Sequence, residues 1–88
     1  MSLPIISGVP RVIRKAAGDK TAANFLASTV GILVNAAPGT KVYFTKADFD
    51  GDANYITIGS SGTLLMPCRV SFVFVSGAAE VVGFLAGT

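Results

Sequence analysis

The sequence predicts an all-β protein: a small β-sandwich or β-barrel of about seven short antiparallel strands behind an extended N-terminal arm. Three observations predict it. Ten glycines and four prolines, with Ser/Thr/Asn/Asp clusters among them, cut the 88 residues into pieces of about five to eight residues, a strand length. The pieces between them are rich in β-branched and aromatic residues. No stretch carries a sustained helical period.

Residues 1–10 read as the arm, because Pro4 and Pro10 fix φ and push the residue before each toward extended backbone. Its apolar residues Leu3, Ile5, Ile6 and Val9 have little to pack on at home and are expected to dock on a neighbouring subunit. Residues 11–88 then form a single β domain. Its first strand is expected at Arg11–Ala16, with basic groups on a solvated face, followed by a turn at Gly18-Asp19-Lys20-Thr21. Ala22 to Ala27 is ambiguous, since Ala and Leu favour helix but the piece is too short to hold one alone.

Thr29–Asn35 and Lys41–Lys46 read as two strands about the turn Ala36-Ala37-Pro38-Gly39-Thr40, the best hairpin pattern in the chain. Ala47–Asn54, with Asp48, Asp50 and Asp52 around Gly51, reads as a loop. Tyr55–Ile58 alternates, with Tyr55 and Thr57 on one side and Ile56 and Ile58 on the other. Gly59-Ser60-Ser61-Gly62 turns the chain into a short strand at Thr63–Met66. Arg69–Val75 places Val70, Phe72 and Phe74 on one face and becomes apolar on both toward Val75. That pattern suits either a strand covered on both sides or a subunit contact, so Phe72, Phe74 and Val75 join the candidate interface. Ser76–Ala79 is the last turn and Glu80–Leu85 the closing strand.

Composition narrows the function. Half of the residues are hydrophobic (51%) and only 14% are charged, against about 25% charged in ordinary soluble domains, so apolar surface is left for a neighbour. A domain of this size is marginal alone and draws on disulfides, metals or oligomerisation. Cys68 is the single cysteine and there is no histidine, which excludes an intrachain disulfide and the usual Cys/His zinc sites. Oligomerisation is left. Ser-His-Asp and Cys-His catalysis are excluded on the same ground, so neither an enzyme nor a cofactor is expected.

The aspartate loop spaces oxygens at Asp48, Asp50, Asp52 and Asn54 as calcium loops do. It departs from the EF-hand pattern at Ala53, where the turn glycine belongs, and at Gly59, where the bidentate glutamate belongs. It therefore reads as a self-bonded polar loop with no metal. A net charge of +2 with dispersed basic residues does not point to nucleic acid. Val70–Ala86 is barely long enough to span a bilayer and contains Glu80, so no membrane span is expected. Met1-Ser2-Leu3-Pro4 lacks the positive charge of a secretory leader, and folding in the cytoplasm is expected.

The second half runs from Asn54-Tyr55-Ile56-Thr57-Ile58 through Gly62-Thr63-Leu64-Leu65 and Pro67-Cys68-Arg69-Val70 to Val81-Val82-Gly83-Phe84-Leu85. Over about residues 40–88 it resembles small tailed-bacteriophage virion proteins, in which short alternating strands and Gly-rich turns build a sandwich or barrel. The resemblance implies a multi-copy structural subunit of the virion, folded in the host cytoplasm. Its partners would be copies of itself and a major capsid or other virion protein. Capsid decoration or cement is the first expectation; a tail or fibre component, or a carbohydrate- or receptor-binding module, is the alternative.

Overall fold

The computed structural model describes residues 9–85, with eight strands and one short helix in the order β1 (Val9–Lys15), β2 (Ala23–Asn24), β3 (Thr29–Ala36), β4 (Lys41–Tyr43), α1 (Lys46–Gly51), β5 (Ile56–Thr57), β6 (Thr63–Met66), β7 (Phe72–Val75) and β8 (Ala79–Leu85). They form two four-stranded antiparallel sheets, β1-β8-β3-β6 and β2-β7-β4-β5. The all-β expectation is met, and of its two forms the sandwich is the one observed.

Alternation builds the core between the sheets. In the first sheet Ile32 and Val34 of β3 stand beside Gly83 and Val81 of β8. Leu64 and Met66 of β6 line the same side, as does Ile13 of β1. The second sheet supplies Ala23, Val42, Val73 and Val75, and the loops add Phe25 and Ile58. Phe25, Ile32, Val34, Val42, Val73 and Val81 are fully buried. Each such side chain contributes on the order of 1.5–3 kcal/mol relative to exposure.

Phe25 occupies the space that the missing side chain of Gly83 leaves. A Cβ on Gly83 would lie 2.6–2.8 Å from three carbons of the Phe25 ring. The glycine is what lets the aromatic ring lie flat against β8.

Several expectations are corrected. Val9 and Pro10, assigned to the arm, belong to β1, where they pair with Leu85 and Phe84; residues 1–8 lie outside the described residues. Thr29–Asn35 and Lys41–Lys46 do not form a hairpin. β3 is already flanked by β8 and β6, so the chain crosses at residues 37–40 to the other sheet, where β4 pairs β7 and β5. Gly39, at φ +92, makes that crossing, and its N–H bonds the Ile58 carbonyl at 2.9 Å.

Ala47–Asn54 is not a loop throughout, because α1 occupies Lys46–Gly51. Thr45 caps it, accepting a bond from the Asp48 N–H at 3.0 Å, and Asp48 sits in the first turn where its charge suits the helix dipole. The strand expected from Arg69 begins only at Phe72. Thr29 holds the preceding stretch instead: its hydroxyl donates to the Cys68 carbonyl at 2.9 Å and accepts from the Val70 N–H at 3.2 Å. Of the basic groups of β1, Arg11 and Arg14 are exposed, while Lys15 is buried and paired with Asp19.

Candidate interaction surface

The two sheets differ in what lies outside them. On β4 and β7, Tyr43 and Phe74 are register partners pointing away from the core, with Phe72 beside them. Helix α1 closes over this face through Phe49, which stacks on Phe74 at 5.0 Å between centroids and meets Tyr43 edge-on at 5.2 Å. Offset and edge-on pairs of this kind add about 0.5–1.5 kcal/mol beyond burial. Phe74 is consequently buried and Phe72 half-buried, while Val75, on the other side of β7, is buried in the core between the sheets. Of the two readings of an apolar strand, β7 is covered on both sides within the domain at Phe74 and Val75.

A polar clasp fixes the end of α1. Asp52, the left-handed C-cap at φ 50, accepts from the Tyr43 hydroxyl at 2.5 Å and from the Lys41 ammonium at 3.1 Å. Lys41 also lies over the Tyr55 ring, 4.5 Å from its centroid. The Tyr43 hydroxyl and then Lys41 hold the Asp52 carboxyl below its ordinary pKa. Burial first, and Asp52 second, push the Tyr43 phenol up.

The aspartates that suggested a calcium loop face separate partners. Asp50 pairs with Lys46 at 2.8 Å, Asp48 accepts from Asn54 at 3.3 Å, and Asp52 is in the clasp. Among the described residues, no group of three or more His, Cys, Asp or Glu side chains converges to hold a metal. Lys15 reaches Asp19 at 2.9 Å and the Thr21 hydroxyl at 2.8 Å. Asp19 is held well below the usual carboxylate range, chiefly by the Thr21 hydroxyl and then by Lys15. Cys68 is half-buried and its thiol is pushed up by that burial, which disfavours the reactive thiolate.

The outer face of β1-β8-β3-β6 is different, since no described element packs across it. Register lays its side chains in rows. Arg14, Glu80, Asn35 and Thr63 form a polar row, joined by an Arg14–Glu80 ion pair at 3.1 Å, an Asn35–Glu80 bond at 3.4 Å and a Thr63–Asn35 bond at 2.9 Å. The next row is wholly apolar, Val12, Val82, Leu33 and Leu65, with Pro10, Phe84 and Gly31 beyond it. Val12 is 50% exposed and Leu65 56%, at the two edges of the row, while Val82 is buried and Leu33 half-buried between them.

At the end of the sandwich Val9 pairs with Leu85 and Leu85 with Thr29, and Val9 has the parity of Ile13 rather than of the outer row. Val9 is 60% exposed, and Leu26, just before β3, is 74% exposed. Leu26 also holds φ at 65, a region a leucine occupies at a cost of about 1–3 kcal/mol. Its N–H is tied to the Asn24 side chain at 2.8 Å. Of the residues expected at an interface, the structure thus keeps Val9 at the surface, while Leu3, Ile5 and Ile6 lie outside the described residues. Val12, Leu26 and Leu65 are exposed as well and were not among the expected residues; the signal for Val12 and Leu65 was their parity with polar Arg14 and Thr63 on the same strands.

No helix among the described residues is long and apolar enough to cross a membrane. Comparison of the chain with protein-family models, with curated proteins and with solved structures finds no match to any of the three.

Proposed function

We propose that this protein is a structural subunit that acts by packing against other subunits, most simply as a multi-copy component of a bacteriophage particle such as a capsid decoration or cement protein. The observation that carries the packing role is the apolar row Val12, Val82, Leu33 and Leu65 on a sheet face that no described element crosses, with Val12 and Leu65 exposed at its two ends and Val9 and Leu26 exposed elsewhere on the domain. Isolated exposed apolar side chains are ordinary on any protein, but a contiguous patch of this kind marks a contact site. The assignment to a virion is supported by the resemblance of residues 40–88 to small phage structural proteins.

Light scattering on the purified chain at tens of micromolar is expected to give a mass above 9.0 kDa. A stable, freely soluble monomer at that concentration would remove the packing role. The virion assignment is tested separately: the genes beside the one encoding this chain are expected to encode capsid, portal or tail proteins. Neighbours of unrelated metabolic function would remove it.

A further inference from the structure

We propose that the outer face of the β1-β8-β3-β6 sheet is the receiving surface for residues 2–8 of a second copy of this chain, so that neighbouring subunits exchange N-terminal arms. The inference rests on the assembly reading and names both the donor segment and its seat.

Chemistry and reach both fit. Ser2-Leu3-Pro4-Ile5-Ile6-Ser7-Gly8 has no charged side chain, and neither has the row Val12, Val82, Leu33, Leu65. The polar row through Arg14 and Glu80 borders that surface on one side and limits where an apolar strand can lie. Four strands about 4.8 Å apart place β1 and β6 roughly 14 Å from each other. At seven residues, Ser2 to Gly8 reaches about 23 Å when extended, which is enough to cross the sheet.

A second copy is favoured over the chain's own arm by where β1 begins. Val9 is paired in the ladder with Leu85, and Pro10 holds it extended, so any reversal must fall before it. Climbing about 10 Å onto the face uses roughly three residues, which would spend Ile6, Ser7 and Gly8 and leave only Leu3 and Ile5 for contact. Seated on a neighbour, Leu3, Ile5 and Ile6 are all available. Area points the same way. The outer face measures roughly 400 Å², about half of what each partner gives to a standard interface, so one flat face against another falls short and two exchanged arms make up the difference.

The test uses the full chain with Cys68→Ser. One preparation carries Ile5→Cys, a second Leu65→Cys, and the two are mixed and treated with a short bismaleimide. A cross-linked species of twice the chain mass, containing one copy of each, is expected. A third preparation carrying both cysteines, treated when dilute, reports contact within one chain. Linkage confined to single chains, or none in either experiment, overturns the proposal. Deleting residues 2–8 is expected to lower the light-scattering mass to that of the monomer while circular dichroism remains β-rich. A folded truncated chain that still assembles overturns the arm exchange yet leaves the subunit role standing, whereas an intact chain that never assembles removes both.

Discussion

Gly83 shows how tightly a single residue is specified when two elements meet at its surface. With Phe25 completely buried, its ring has nowhere to retreat from a new methyl group placed under 3 Å away. Gly83→Ala is therefore expected to destabilise the protein by about 1–3 kcal/mol, the range for overpacking. The check is the midpoint of urea unfolding. Phe25→Leu removes the ring edge that clashes and leaves a cavity of its own, so combining the two changes should cost clearly less than their sum. Additive losses would show that the glycine matters for another reason. Leu26 is the opposite case, a residue in an unfavourable backbone region that gains no burial from it and is held there by the Asn24 side chain, which accepts a bond from its N–H.

Helix α1 is the element whose attachment is most open to experiment, because a charged group anchors it. Asp52 is expected to be about as acidic as any aspartate in the unfolded chain, near 3.9, and is lower in the fold. A carboxyl lowered on folding gives its full contribution above the unfolded value and loses it as pH falls through the folded one. Wild-type protein should thus be more stable than Asp52→Asn at neutral pH, and the gap between them should narrow below about pH 4. Urea midpoints for both proteins at several pH values measure this. A gap independent of pH would mean that the carboxylate charge is not what holds α1.

The same helix marks the limit of what local pattern revealed. Thr45-Lys46-Ala47-Asp48 has the spacing of a helix start, but the Asp/Gly/Asn residues that follow read as loop and conceal a six-residue helix. Strands with clear alternation were legible. β6 matches its expected bounds, and Ile58 is buried while Tyr55 and Thr57 are exposed, as the period of two requires. The sharing of strands between sheets was not legible. Val30 to Val34 and Val42 to Phe44 look like hairpin partners because each is apolar and a Pro-Gly turn joins them, yet pairing depends on β6 and β8, which arrive later in the chain. The outer apolar row was equally hidden, since it is assembled from four separated strands.

At the scale of the whole molecule, the chain passes repeatedly between the two sheets, and only β4 and β5 are both consecutive and paired. Such a topology offers few local contacts to offset the loss of chain entropy, and no disulfide assists it, since Cys68 is the single cysteine. A face left apolar therefore has a consequence for stability as well as for function, because association stabilises the folded state by mass action. If the folded chains associate, raising the concentration from about the dissociation constant to about a hundred times it should stabilise the fold by about 2 kcal/mol. For a domain of this size each kcal/mol shifts the melting temperature by about 4–8 °C, so a rise on the order of 10 °C is expected. Scanning calorimetry at two such concentrations measures it. Leu65→Lys, which puts a charge in the centre of a 56% exposed position without touching the core, should abolish the concentration dependence while leaving the dilute melting temperature nearly unchanged. Superimposable melting curves for the wild-type chain across that range would show that the face is not used between copies. Loss of the dilute-protein stability in Leu65→Lys would instead make Leu65 part of the domain's own packing.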